Sequence, residues 1–284
     1  MVTFLGMGLL GSNFVRSLIS KGEDVRVWNR TASRAAALEQ YGAKAFENIV
    51  DAVKGADIIH LTLKDDATVD EVLSKAAPGL KPGAAIIDHT TTSVPGAIQR
   101  TNRWKERGYT YLHVPVFMGP KEALESKGFM LVSGDQDIVA RYTPALSAMT
   151  GKLLNFGEET GRAAGMKLLG NNFLVALNAG LADTLSLAKA LQVPVSDMLT
   201  LFENWNPGNS LLFRLRKMSG GDYSQPSWEL DMARKDTGLF MSAAEQADVQ
   251  LAIIPAIARL MDHWIEKGRG GEDWTVIGSA PVNG

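Results

Sequence analysis

The sequence predicts an α/β protein: a doubly wound parallel sheet in the first half, followed by an all-helical second half. Three observations carry this. Short apolar runs rich in branched and aromatic residues alternate with segments of helical periodicity up to about residue 156. Gly6-Met7-Gly8-Leu9-Leu10-Gly11 stands where the first such run gives way to the first helical segment. From Gly157 onward the texture changes to long helical patterns without a convincing strand. A chain of 284 residues is long enough for two domains, each with its own core. The change of texture divides them into 1–156 and 157–284.

Taken in order, strands are expected at Val2–Leu5, Val25–Trp28, Ile58–Leu63, Ala85–Asp88, Tyr109–Val114 and Met130–Val132. Helices are expected at Leu10–Ser20, Ala32–Gln40 and Val69–Ala76. Lys21-Gly22, Pro78-Gly79, Lys81-Pro82-Gly83 and Pro95-Gly96 read as turns. In the second half, Gly161–Leu191 is a proline-free stretch of Ala, Leu and Asn that predicts one long helix ending before Val193-Pro194. Further helical patterns run over Val195–Glu203, Trp228–Ala247 and Ile253–Glu266, and the Gly-rich tail after Gly268 reads as irregular.

Composition narrows the function classes. Apolar residues make up 45% and charged residues 21%, the balance of an ordinary globular protein. The 29 basic and 31 acidic side chains give a net charge of −2, so no basic excess points to nucleic acid or a membrane surface. The absence of cysteine excludes a disulfide framework, a thiolate nucleophile and Cys-ligated metal centres. The apolar start at Val2–Leu10 has no basic residues before it and is broken by Gly6 and Gly8, so it reads as a strand and turn. No apolar run reaches the roughly 18 residues of a spanning helix, and a cytoplasmic protein is expected. The four histidines, at 60, 89, 113 and 263, have no metal-ligand spacing. His89 and His113 are candidates for the cleft wall, although isolated histidines are more often structural.

The glycine pattern is weak alone, but its place after a strand and before a helix is where a dinucleotide pyrophosphate rests on a helix N-terminus. The second strand chooses the dinucleotide. An NAD site carries Asp or Glu at its end, about 20 residues beyond the glycines, to accept from the ribose 2′-hydroxyl. Here the strand ends in Asn29-Arg30-Thr31, with Ser33 and Arg34 close behind. Arg30 suits a 2′-phosphate, to which amide and hydroxyl groups also donate, so NADP is expected. The plainer alternative is a helix cap at Thr31 followed by a solvated arginine.

On the long helix, Lys167 and Asn171 share a face. A lysine held over a carbonyl donates a hydrogen bond to the oxygen as hydride arrives, and Asn171 would position it. Gly161 and Gly165 would allow close backbone approach. Periodicity alone equally allows a lysine on a wet helix face. Trp205, Trp228, Phe202 and Phe213 read as helical-domain core or subunit contact, because no basic patch surrounds them.

Together these motifs resemble the β-hydroxyacid dehydrogenase family, in particular its glyoxylate/succinic semialdehyde reductase branch, within the 6-phosphogluconate dehydrogenase superfamily. The resemblance covers nearly the whole chain. It runs through the glycine fingerprint at Gly6 to Gly11, the Asn-Arg-Thr at 29 to 31, and a segment similar to Asp-x-Ser-Thr at Asp88-His89-Thr90-Thr91. It continues through a Gly-x-x-x-Lys-x-x-x-Asn pattern at Gly161/Gly165, Lys167 and Asn171, and an aromatic residue seven positions before Lys-Asp at Trp228 and Lys235-Asp236. It implies a Rossmann-type domain and NADP-linked reduction of a small aldehyde or keto acid, with Lys167 as general acid. Leu63, Thr91 and Lys235 would face the cofactor, and a homodimer or homotetramer would form through the helical domains.

One loop departs from the family. Its Asp-Ala-Pro-Val-Ser-Gly-Gly, which holds the substrate carboxylate largely through backbone donors, corresponds here to His113-Val114-Pro115-Val116-Phe117-Met118-Gly119-Pro120. Val116, Phe117, Met118 and Gly119 would then form the substrate wall with Lys167 and Asn171. The bulk of Phe117 and Met118 suggests a bulkier or less polar carbonyl. Imine reductases resemble the cofactor half too, including Trp28 to Thr31, but generally lack the helix lysine. A non-catalytic NADP sensor is a rival from another class, opposed by the Lys167/Asn171 pair. A decarboxylating sugar-phosphate dehydrogenase is opposed by the short helical half.

Overall fold

The computed structural model describes residues 1–279. By its contacts the chain separates into two compact units, the first Met1–Asn172 and the second beginning at Phe173.

In the first unit, β1 (Val2–Leu5), β2 (Val25–Trp28), β3 (Lys44–Phe46), β4 (Ile58–Leu61), β5 (Ala85–Asp88) and β6 (Thr110–His113) form one parallel sheet in the order β3-β2-β1-β4-β5-β6. Order reverses between β1 and β4, and the crevice beyond their carboxyl ends is where such sheets bind ligands. Around it lie α1 (Leu9–Ser20), α2 (Ala32–Ala36), α3 (Ile49–Val53), α4 (Asp66–Ala76) and α5 (Val94–Glu106). Strand residues alternate between two apolar layers. Phe4, Val25, Val27 and Ile87 enter the layer under α1, and Leu5, Ile59, Leu61 and Ile86 the layer under α4.

The expectation of a single sheet needs correction. Residues after β6 build a second, three-stranded sheet from β7 (Val116–Phe117), β8 (Phe129–Val132) and β9 (Lys152–Asn155), with α6 (Pro120–Glu125) and α7 (Gln136–Ser147) beside them. Strand β7 pairs antiparallel with β8, which pairs parallel with β9. Pro95-Gly96 is not a turn either. Both residues lie in the first turn of α5, where the Ser93 hydroxyl caps the Gly96 N–H at 3.1 Å, because Pro at a helix start lacks only an N–H that would have no partner.

Helix α8 (Arg162–Ala190) begins in the first unit, so its opening turns belong there rather than to the second half. Two glycines at its start serve packing. Gly161, at φ +89°, lies against Ile98 and Val94 of α5, and Gly165 approaches Val94. An 18-residue window of α8 has a mean hydropathy of 1.2, so by length and composition this helix could cross a membrane, contrary to the sequence expectation.

The second unit holds the rest of α8 with α9 (Val195–Asn204), α10 (Leu211–Gly220), α11 (Leu230–Gln246) and α12 (Ile254–Glu266). Its core is Tyr223, Leu230, Ala233, Met261, Trp264 and Val276. Of the tail after Gly268, residues 269–279 are ordered rather than irregular, and 280–284 lie outside the described residues. Buried Asp273 accepts from Lys217 Nζ at 2.7 Å, from Ser227, and from Thr275 at the start of a 3-10 turn over Trp274–Gly278. Trp205, Phe213 and Trp228 are not core; Trp205 and Phe213 are 57% and 62% exposed.

Candidate functional site

The glycine loop is built from both sides of the crevice. Gly6, at φ +100°, donates its N–H to Trp28 O at 3.0 Å. A Cβ at Gly11 would overlap the Gly6 carbonyl and the Thr62 hydroxyl, so only glycine lets α1 start this close to β1. Gly8 is different: nothing lies within 4 Å of the position a Cβ would take, and the backbone stays open to a ligand. As N-cap of α1, Gly8 supplies no capping side chain, and the first turn carries no acid. Its N–H groups therefore suit an anion, which is the fit a pyrophosphate needs.

One pocket beside the loop is lined by Gly6, Gly8, Asn29, Arg30, Arg34, Leu63, Lys64, Glu71 and Lys75, among others. Its basic side chains outnumber Glu47 and Glu71, and Glu71 is paired with Lys75. Arg30 is exposed at its rim. Asn29 does something other than donate outward: its Oδ1 accepts from Met7 N at 3.0 Å, and its Nδ2 donates to Thr31 O at 2.9 Å. It braces the glycine loop against the end of β2, while Thr31 precedes α2 without capping it through its side chain.

On the other side, Gly8, Leu9, Leu10, Gly11, Thr62, Leu63, Lys64, His89, Thr90, Thr91, Val116, Met118 and Lys167 line a second pocket. Leu63 borders both pockets, and its N–H donates to Thr90 Oγ1 at 3.0 Å. Lys167 is half-buried and has no ion pair among the described residues. Burial pushes its ammonium below the usual lysine value. Its Nζ stands 4.1 Å from the centre of the Phe117 ring. Asn171 follows one turn later, also half-buried. In the segment expected to form the substrate loop, the Gly119 N–H donates to Glu122 Oε2 at 3.0 Å, so one of the backbone donors that a carboxylate clamp would use is engaged at the start of α6. Lys235 belongs to the second unit, on α11, exposed and 3.2 Å from Asp236.

Sequence reasoning missed the layer behind Thr90–Thr92. Tyr111 donates to Asp88 Oδ2 at 2.6 Å and accepts from Arg100 Nε at 3.0 Å. Arg100 in turn reaches Asp66 at 2.6 Å, and Asp66 accepts the Ser93 N–H. Asp88 also accepts from Thr90 N at 2.9 Å. The histidines complete this layer. His60 Nδ1 and His89 Nε2 are 3.0 Å apart, His89 Nδ1 donates to Val114 O, and His113 Nε2 is 2.8 Å from Thr90 O. Because the Val114 carbonyl only accepts, neutral His89 must accept at Nε2, which makes His60 the donor. Burial holds all three imidazoles below their ordinary value, His89 at about 4. His89 thus borders the cleft but has both nitrogens engaged inward, and the signal for it, an Asp-His pair after a strand, did not specify the partners.

Comparison with known proteins agrees with this fold. Residues 1–157 match the family described as the NAD binding domain of 6-phosphogluconate dehydrogenase, and the chain belongs to that family. It is 28% identical over 281 residues to 3-sulfolactaldehyde reductase of Escherichia coli, covering 97% of this chain and 94% of that protein. It is 28% identical to glyoxylate/succinic semialdehyde reductase 2 of Arabidopsis thaliana, covering 97% of this chain and 78% of that one. The fold is shared with an imine reductase from Myxococcus stipitatus in complex with NADP+, at a TM-score of 0.91 and 20% identity, covering 98% of each chain. The class these findings define is an NAD(P)-binding oxidoreductase of the hydroxyacid dehydrogenase type.

Proposed function

We propose that this protein uses NADPH to reduce a small aldehyde or keto acid to the corresponding hydroxy acid, with Lys167 as general acid. The observation that carries the reading is a half-buried ammonium without a carboxylate partner, lining the same pocket as the glycine loop and Thr91. When bound, the nicotinamide supplies the hydride. The chain's own residues then do three things. The α1 N-terminus, with Gly8 open in front of it, binds the pyrophosphate. Arg30 pairs with a 2′-phosphate, helped by the basic excess of its pocket. Lys167 donates a hydrogen bond to the carbonyl oxygen and releases its proton to the oxyanion, with Asn171 aligning the pair.

Homodimers or homotetramers are part of the proposal. The second unit exposes large apolar side chains, including Val175 at 70%, Leu212 at 62% and Leu239 at 61%, and a second copy would cover them. That occupant suits α8 better than lipid, since Lys167, Asn171 and Asp183 interrupt its apolar character. The partner set is otherwise a small-molecule carbonyl, with neither nucleic acid nor membrane.

The engaged Gly119 N–H, Pro120 and the Phe117-Met118 bulk favour a second reading, reduction of an imine, which needs no carboxylate clamp. A panel of glyoxylate, succinic semialdehyde, less polar aldehydes and a cyclic imine, assayed with NADPH and with NADH, tests both. Turnover of a carbonyl with NADPH is expected. Turnover of the imine alone would replace the first reading with the second, and none on any substrate would favour a nucleotide sensor.

A further inference from the structure

We propose that Phe117 is a positioning residue for Lys167, holding the ammonium in the pocket through its ring face, and that Gly170 provides the space the ring occupies. The inference rests on the reading of Lys167 as general acid. Three observations support it. First, Phe117 is fixed from behind: β7 pairs Val116 with Met130 and Phe117 with Phe129, and Leu131 N donates to Pro115 O at 2.9 Å. Second, Lys167 Nζ lies 4.1 Å from the ring centre, well inside the roughly 6 Å range of a cation–π contact. Third, a Cβ at Gly170 would overlap the Phe117 ring, so the ring lies on α8 one turn beyond Lys167, in a place only glycine leaves open. Glycine inside a helix is unfavourable relative to alanine, and here the room it leaves is filled by one aromatic ring.

The physics follows from what surrounds the ammonium. The titratable groups sharing its pocket are Lys64, from the segment after β4, and His89, from the segment after β5; neither is a carboxylate, and both nitrogens of His89 point inward. Desolvation therefore acts on Lys167 without an opposing ion pair. Among the described residues, the negative face of the ring is the feature that favours the charged form, and it also restricts a side chain with four torsions to one position. Phe117 thus influences both where the proton is and up to what pH it remains available.

The test uses the full-length enzyme, the carbonyl turned over fastest in the panel above, and the single-turnover rate of NADPH oxidation as a function of pH. Phe117→Leu keeps apolar bulk but removes the π face. It should lower the rate about 5- to 20-fold, leave the KM for NADPH within about twofold, and move the alkaline fall in rate down by about half to one pH unit. Phe117→Tyr retains the π face and should keep the wild-type midpoint of the alkaline limb, whatever its effect on the rate itself. Gly170→Ala displaces the ring without touching Lys167 and should follow Phe117→Leu in direction; it carries the same test should Phe117→Leu fail to fold. Wild-type rate and alkaline limb in Phe117→Leu, or in Gly170→Ala if that variant stands in for it, would overturn the proposal. Lys167→Met separates the two levels. If it is inactive while Phe117→Leu is unchanged, only the role of Phe117 falls; if it stays active, the acid reading falls and takes this inference with it.

Discussion

The two pockets flanking the glycine loop solve opposite electrostatic problems. Around Arg30, charges are exposed and numerous: Arg30, Arg34, Lys64 and Lys75 stand against Glu47 and Glu71. Water screens each of them, so under the proposed function this side would hold a polyanion through many modest contributions. Around Lys167 the described residues that line the pocket supply one half-buried ammonium and no carboxylate, backed by a hydrogen-bonded layer in which Asp88, Tyr111, Arg100 and Asp66 fix the Thr90–Thr92 segment. Under the proposed function, the difference separates affinity from chemistry. One side should control which dinucleotide binds, the other how fast it reacts.

The largest expected effect breaks the reactive side alone. Lys167→Met should reduce turnover by about 10² to 10⁴, the usual worth of a positioned acid, with the KM for NADPH within about twofold of wild type. Steady-state kinetics check it, and equal losses in both constants would mean the two sides are not separable. The converse substitution, Arg30→Ala, should raise the KM for NADPH about 10- to 100-fold, the cost of one charge-assisted phosphate contact. The KM for NADH should hardly move. Parallel losses with both cofactors would show that Arg30 does not read the 2′ position.

Smaller effects should appear in stability rather than in kinetics. Tyr111→Phe leaves Asp88 and Arg100 Nε without their shared hydroxyl in a buried site, which should cost about 2–3 kcal/mol in urea unfolding. A change below about 0.5 kcal/mol would mean that water replaces the hydroxyl. The three imidazoles predict a pH dependence whose sign is fixed by their lowered values in the folded chain. Stability should be complete above pH 6.5, the ordinary histidine value, and fall from there toward about 4, where His89 titrates in the native state. Each histidine contributes a slope of up to about 1.4 kcal/mol per pH unit in that window. A urea midpoint that stays flat from pH 7 to 4.5 would show that these rings are solvated.

Local signals made most of the sheet and both pocket floors legible. The glycine fingerprint, the Asn-Arg-Thr end of β2 and the long helix bearing Lys167 and Asn171 can each be read within a few residues. What escaped depends on distance along the chain. Strands β3 and β7 have three and two residues, too few for a period of two to declare itself. The Pro-Gly of α5 looks like a turn until its Ser93 cap is seen. Arg100, Tyr111, Asp66 and His60 reveal nothing singly, because their meaning is their pairing across three strands and two helices. The contact of Phe117 with Gly170 and Lys167 is of the same kind: the sequence shows a bulky residue in an unexpected place, and only the fold shows what it rests on.

The most direct test of the central claim is the alkaline limb of the single-turnover rate of carbonyl reduction by NADPH, compared between wild type and Lys167→Met. If Lys167 supplies the proton, the wild-type rate falls as pH rises through a midpoint below 10.5, the ordinary lysine value, because burial has lowered it, and the slow residual rate of the variant shows no such fall. The same limb, at the same midpoint, in both proteins would contradict the claim.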